Sequence, residues 1–87
     1  MLINYIVEIP LSPTSNFALR LEDGFYKLDL VIENNGEIIA FEKHKCKESK
    51  YSDLFKNIDI DTMDEELNDI YMLIIKDIIS QFLLNVK

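Results

Sequence analysis

Two dipeptides, Asp23-Gly24 and Asn35-Gly36, constrain the fold of this chain more than any other feature of its sequence. Each is typical of a two-residue β-hairpin, because a type I′ turn needs positive φ at both central positions and Asn, Asp and Gly tolerate it. Each turn therefore fixes the register of the two strands that it joins.

The two registers agree about which face of the sheet is buried. They predict the pairs Leu21–Tyr26, Leu19–Leu28, Phe17–Leu30, Ile32–Ile39 and Leu30–Phe41. All of these side chains lie on one face, and a slip of one residue in either hairpin would break the agreement. The opposite face mixes charged and small apolar residues, and we expect it to be solvated. Its members are Ala18, Arg20, Lys27, Asp29, Val31, Glu33, Ile38, Ala40 and Glu42.

The C-terminal stretch, residues 62–87, predicts a long helix that covers the apolar face. Apolar residues recur there at three- and four-residue steps, at Leu67, Ile70, Tyr71, Ile74, Ile75, Ile78, Phe82 and Val86. Thr62 and Glu65 have the spacing of a capping box, in which the glutamate reaches back to the threonine amide. Asp64, Glu65 and Glu66 add negative charge at the positive end of the helix dipole, and Lys87 adds positive charge at the other end.

The same helix has more apolar surface than one sheet can cover. Leu73 and Leu84 lie opposite the main apolar stripe, and the apolar arc exceeds half of the circumference. The surplus predicts a second contact surface, for which a homodimer partner, a target protein and the preceding short helix are the alternatives. Leu73 and Leu84 are therefore candidate interface residues.

The whole pattern predicts a single α+β domain spanning residues 1–87. We expect a four-stranded, mostly antiparallel sheet with strands near 2–10, 17–22, 25–33 and 37–44, covered on one face by a helix over 63–86. Tyr51, Leu54, Phe55 and Ile58 have helical spacing and predict a shorter helix near 50–57. In the first strand Ile3, Tyr5, Val7 and Ile9 share a face, Pro10 and Pro13 end the strand, and no turn fixes its partner.

Charge and cysteine content restrict the functional classes. A net charge of −7 on 87 residues disfavours binding to nucleic acid or to an anionic membrane, and favours a protein partner with a basic surface. One cysteine cannot form an internal disulfide, which favours a reducing compartment such as the cytoplasm. Residues 1–9 lack the basic start of a signal peptide, and charged residues interrupt the C-terminal helix too often for a membrane span.

Candidate chemical sites are weaker than their structural alternatives. His44 and Cys46 have no second cysteine or histidine to complete a zinc site and no catalytic partner at a recognisable spacing. Asp59, Asp61 and Asp64 resemble part of a calcium loop, but Met63 stands where a further ligand would be and no glycine follows. The sequence therefore predicts a protein that is not an enzyme and that has no metal or cofactor.

The most distinctive charged feature is an acidic run from Asp53 to Asp69, relieved only by Lys56. Carboxylates spaced over a rigid scaffold can imitate phosphates and occupy a basic nucleic-acid channel of another protein. An ordinary solvated acidic face is the alternative. The candidate partner-binding residues are Asp59, Asp61, Asp64, Glu65, Glu66 and Asp69.

In size, in this acidic run and in its lack of catalytic motifs, the chain resembles the small phage-encoded inhibitors of bacterial defence of the anti-CRISPR type. That resemblance implies a non-enzymatic inhibitor that blocks a nucleic-acid-handling complex in the cytoplasm of a bacterial host. The chain also looks like immunity proteins, which neutralise toxins. A further similarity, carried by the segment Ile9 to Pro13 followed by the hairpin at Asp23-Gly24, is to the start of phage baseplate plug proteins, which would imply a structural component of a phage particle.

Overall fold

The fold is α+β, as the sequence predicts. A computed structural model describes the backbone of residues 4–84 and the side chains of residues 4–82. Four strands form one antiparallel sheet in the order β1-β2-β3-β4, with bounds β1 Val7–Ser12, β2 Ser15–Glu22, β3 Phe25–Asn34 and β4 Glu37–Lys47. They are followed by two 3₁₀ helices, Glu48–Phe55 and Ile60–Thr62, and by the long helix α1, Met63–Leu84.

Both hairpin turns form where the glycine dipeptides predict them. Asp23, Gly24, Asn35 and Gly36 all have positive φ, between 52° and 83°. Because the turns fix the registers, each of the five predicted pairs is present in the sheet, from Leu21–Tyr26 to Leu30–Phe41. The predicted alternation of the two faces is therefore correct for β2, for β3 and for β4 as far as Glu42.

The first strand differs from its prediction in position. It runs from Val7 to Ser12 rather than over 2–10, and it pairs antiparallel with β2 through a two-residue turn at Pro13 and Thr14. Pro10 lies inside the strand, which is tolerated because β1 is at an edge of the sheet and its ladder shifts register after Pro10. Residues Leu2 and Ile3 of the predicted strand lie outside the described residues.

Val7 and Ile9 pack against the buried cluster as expected, whereas Tyr5 does not share their face. The chain before Val7 is not part of the strand, so Tyr5 is free of its alternation and lies with Glu8 and Val31 in a depression on the opposite face. Burial, with the nearby Asp29 carboxylate, raises the pKa of Tyr5.

A β-bulge in β4 changes which residues face the helix. Leu28 lies opposite His44 and Asp29 lies opposite Glu42, which leaves Lys43 as the extra residue. Beyond the bulge the even-numbered residues point toward the core, and Cys46 is buried with its Sγ donating to Oε1 of Gln81 at 3.3 Å. The strand continues to Lys47 instead of ending near residue 44.

Helix α1 covers only part of the apolar face. Its Ile74, Ile75 and Ile78 are fully buried against Leu19 and Leu28, toward the end of the sheet that carries the Asp23-Gly24 turn. At the opposite end of the same face, beyond this buried cluster, Ile39 and Phe41 are exposed. The prediction that these two belong to the core is therefore wrong, because the helix packs on the other half of the face.

The opposite face is not uniformly solvated. Asp29 is only 2% exposed, and Nε of Arg20 donates to its Oδ2 at 2.7 Å. Glu22 and Glu42 also approach the guanidinium of Arg20, at 3.0 and 3.7 Å. The hydrogen bond to Asp29 raises the pKa of Arg20. A buried ion pair thus replaces the solvated charges expected at Arg20 and Asp29.

The segment predicted as a short helix near 50–57 is a 3₁₀ helix, Glu48–Phe55, and it supplies part of the cover of α1. Tyr51 is buried, packs edge-on against Tyr26 with ring centroids 5.8 Å apart, and donates its hydroxyl to Oδ2 of Asp77 at 2.7 Å. Burial raises the pKa of Tyr51, and acceptance of this bond lowers the pKa of Asp77. Phe55 of the same segment lies against Tyr71 with ring centroids 5.8 Å apart, so this segment covers part of α1 beside the sheet.

Candidate functional site

The six predicted acidic residues lie together around the start of α1. We call this set the acidic surface: Asp59, Asp61, Asp64, Glu65, Glu66 and Asp69. All are exposed except Glu66, which is half-buried. The 3₁₀ turn Ile60–Thr62 leads directly into the helix, so a short stretch of chain carries these carboxylates on a rigid element.

Two members of the acidic surface hold the helix start in place. The Asp59 side chain accepts from the amide of Asp61 at 3.0 Å, and the amide of Asp59 donates to Oε2 of Glu66 at 2.7 Å. The amide of Thr62 donates to the carbonyl of Asp59 at 3.2 Å, so it is not the partner of Glu65. The predicted reach of Glu65 back to Thr62 is therefore wrong, and Glu66 makes the equivalent contact to Asp59.

The other four carboxylates, of Asp61, Asp64, Glu65 and Asp69, make no hydrogen bond or ion pair among the described side chains. Lys56 is the single base of the acidic run, and its Nζ pairs with Asp53 at 2.8 Å. The positive end of the α1 dipole offsets part of the negative charge of the first turn. The surface is therefore negative, and four of its carboxylates point to water.

Exposed apolar side chains, which were not among the predicted site residues, lie among these carboxylates. Ile60 is 84% exposed, and Met63 is also exposed; both line a shallow depression formed by residues 60–65. Leu54 is exposed beside Glu66 and Asp69 in a neighbouring depression. The signal was available in the sequence, since Ile60 stands between two aspartates within the acidic run.

Leu73 extends the acidic surface along the helix. It is 53% exposed, and it follows Asp69 by four residues, so the two side chains lie on the same side of α1. Lys76 and Ser80 are the next exposed residues on that side. The structure thus leaves Leu73 available as an interface residue, whereas the side chain of Leu84 lies outside the described residues.

The residues weighed for metal chemistry do not form a site. Among the described residues, no group of three or more His, Cys, Asp and Glu side chains is arranged to hold a metal ion. Asp59 uses its carboxylate to cap the turn at Asp61, and Cys46 is buried beneath α1. What the described residues do form here is a negatively charged surface with exposed apolar side chains in it.

Comparison of the chain with protein-family models, with curated proteins and with solved structures finds no match. Within residues 4–84, no helix is long and apolar enough to cross a membrane.

Proposed function

We propose that this chain is a non-enzymatic inhibitor that binds a basic surface of another protein through the acidic surface. The observation that carries this proposal is the combination of carboxylates that make no described ion pair with the exposed side chains of Ile60 and Met63. Ile60, which is 84% exposed, and Met63 line the same depression, and apolar side chains that are grouped on a surface and rimmed by polar residues are typical of an interaction site.

The carboxylates and the apolar side chains contribute to binding in different ways. Carboxylates steer association with a cationic surface and select against acidic partners, and this steering weakens as salt screens it. Ile60 and Met63 lose water on docking and add apolar contact that salt does not weaken. Arginines that grip phosphates can bind carboxylates in the same bidentate manner, so the surface can occupy a nucleic-acid site.

The partner that this chemistry fits best is a nucleic-acid-handling defence complex, as in inhibitors of the anti-CRISPR type. We place the interaction in the cytoplasm of a bacterial host, where the single cysteine stays reduced. The partner would lose access to nucleic acid without any change to its covalent structure.

Leu73 fits this function better than it fits a homodimer. A standard interface buries roughly 800 Å² on each partner, which one exposed leucine between Asp69 and Lys76 does not supply. We propose that Leu73 contributes an apolar contact at the far end of the acidic surface. A homodimer through Leu73 stays a prediction, and the oligomeric state of a Leu73→Ser variant tests it.

An affinity pull-down from a bacterial lysate, with the retained proteins identified by mass spectrometry, tests the proposal. We expect a nuclease or another nucleic-acid-binding complex to be retained at low salt and released as the salt concentration rises. Recovery of a lone toxin would favour an immunity protein or antitoxin instead. Recovery of virion proteins, with retention that does not depend on salt, would favour a structural component of a phage particle.

A further inference from the structure

Among residues 4–84, no strand pairs with the outer edge of strand β4. The strand order places it last, and every residue from Glu37 to Lys43 is exposed. Such an edge presents unpaired backbone N–H and C=O groups, which can pair with another strand. This edge lies on a different element from the acidic surface, so a role for it does not rest on the proposed function.

Only one half of this edge carries the residues that usually prevent pairing. Lys45 and Lys47, which follow the bulge at Lys43, protect the second half, since charged residues and bulges hinder edge-to-edge contact. The first half reads Glu37-Ile38-Ile39-Ala40-Phe41, and β-branched and aromatic residues favour strand pairing. Its apolar side chains point to both faces, with Ile38 75% exposed, Ile39 39% and Phe41 46%.

The apolar surface of the sheet continues up to this edge. Ile32 lies opposite Ile39, and Leu30 lies opposite Phe41, so two apolar rows cross from β3 to β4 on the half of the face that α1 does not cover. A strand added at β4 would extend both rows. Its apolar side chains would then cover Ile39 and Phe41 from the open side.

We propose that the strand added at this edge is β4 of a second copy of the chain, paired antiparallel about a two-fold axis at Ala40. This register places Glu37 opposite Lys43 and Ile39 opposite Phe41, and the axis makes each pair twice. All four residues lie on one face: Nζ of Lys43 is 5.7 Å from the centroid of the Phe41 ring. Opposite charges therefore meet at both ends of the paired segment, and apolar residues meet at its centre.

The complementary ends select this register. Moving the axis by one residue toward Ile39 would place Glu37 opposite Phe41 and would remove both charge pairs. The result is one continuous sheet of eight strands, built from two four-stranded sheets. The dimer would present two copies of the acidic surface to a partner, which raises the effective affinity for a target with two basic sites.

Sedimentation equilibrium over protein concentrations from about 10 µM to about 1 mM tests this dimer. We expect the wild-type mass to rise from that of a monomer toward that of a dimer. Glu37→Lys alone and Lys43→Glu alone should each weaken dimerisation roughly tenfold or more, because each places like charges opposite each other at two symmetric positions. The combined variant Glu37→Lys/Lys43→Glu should restore wild-type dimerisation, since it exchanges the partners of each pair.

The matched control is Leu73→Ser, which removes the exposed leucine of α1 and should leave the dimer unchanged. Both charged residues are exposed, so far-UV circular dichroism should show the wild-type fold in every variant. A strictly monomeric wild type up to about 1 mM would overturn the proposal, as would a dimer that Leu73→Ser dissociates. Dimerisation that is weakened by the single reversals but not restored by their combination would overturn the antiparallel register about Ala40.

Discussion

Replacing Leu28 by alanine is expected to lower the free energy of unfolding by about 2–5 kcal/mol. Leu28 is fully buried, lies between Leu19 and His44 in the sheet, and belongs to the cluster that α1 covers. Truncation removes apolar contacts and leaves a cavity between the sheet and α1 that the surrounding side chains cannot easily close. Urea denaturation followed by circular dichroism measures the change as a lower midpoint at an unchanged slope.

Leu30→Ala is the matched control for this experiment. Leu30 lies on the same face two residues along β3, but it is only half-buried and lies outside the cluster covered by α1. We expect it to cost only about 1 kcal/mol. Equal losses for Leu28→Ala and Leu30→Ala would contradict a helix that covers only the half of the face toward the Asp23-Gly24 turn.

Replacing Arg20 by methionine is expected to cost about 3–5 kcal/mol, because it leaves the nearly inaccessible carboxylate of Asp29 without its charged partner. Both hydrogen bonds described for the Asp29 carboxylate come from Arg20, so neither would then remain. Methionine keeps most of the length of the arginine stem, so the loss is mainly electrostatic. The same urea titration gives the free energy.

The double variant Arg20→Met/Asp29→Leu separates the pair's net contribution from the cost of breaking it. Replacing both members of a buried ion pair by apolar residues is often close to neutral. We therefore expect the double variant to recover most of the stability that Arg20→Met loses. A loss below about 1 kcal/mol for Arg20→Met would mean that water reaches Asp29 after all.

The register of β2, β3 and β4 was predictable because the two turns that join these strands determine it. A type I′ turn at Asp23-Gly24 or Asn35-Gly36 determines a register without reference to the rest of the molecule. The partner of β1 was not predictable in this way, since Pro13-Thr14 is not a recognised hairpin dipeptide and Pro10 suggested a strand end.

Features that depend on packing between elements were missed. The sequence pattern shows that α1 has an apolar side, but not over which half of the sheet it lies, so Ile39 and Phe41 were assigned to the core. Asp29 alternates with apolar residues as any solvated residue does, and only the approach of Arg20 and Tyr5 shows that it is buried. The bulge at Lys43 likewise has no glycine to signal it.

In the candidate site, too, the features set by local sequence were predictable and those set by side-chain contacts were not. The sequence predicts correctly that the six carboxylates lie together, because they are close in the chain at the start of one helix. The separate task of Asp59 and Glu66 in holding that helix start depends on side-chain geometry, which spacing alone did not give. A test of binding should therefore leave these two residues unchanged.

The central claim is that the acidic surface binds a basic partner, and a matched pair of charge reversals tests it most directly. The test variant reverses Asp61, Glu65 and Asp69, whose exposed carboxylates make no described hydrogen bond or ion pair. The control variant reverses Glu8, Glu33 and Glu48, three exposed glutamates outside the acidic surface. Each reversal adds two units of charge, so both variants change the net charge from −7 to −1.

The measurement is the affinity of each variant for the partner recovered in the pull-down, at low and at high salt. We expect the test variant to bind at least about 100-fold more weakly at low salt, and the control variant to lose only the smaller share that comes from net charge. Wild-type binding should weaken as salt rises, and binding by the test variant should not. Equal affinity of the wild type and the test variant, with no dependence on salt, would contradict the claim that the acidic surface binds the partner.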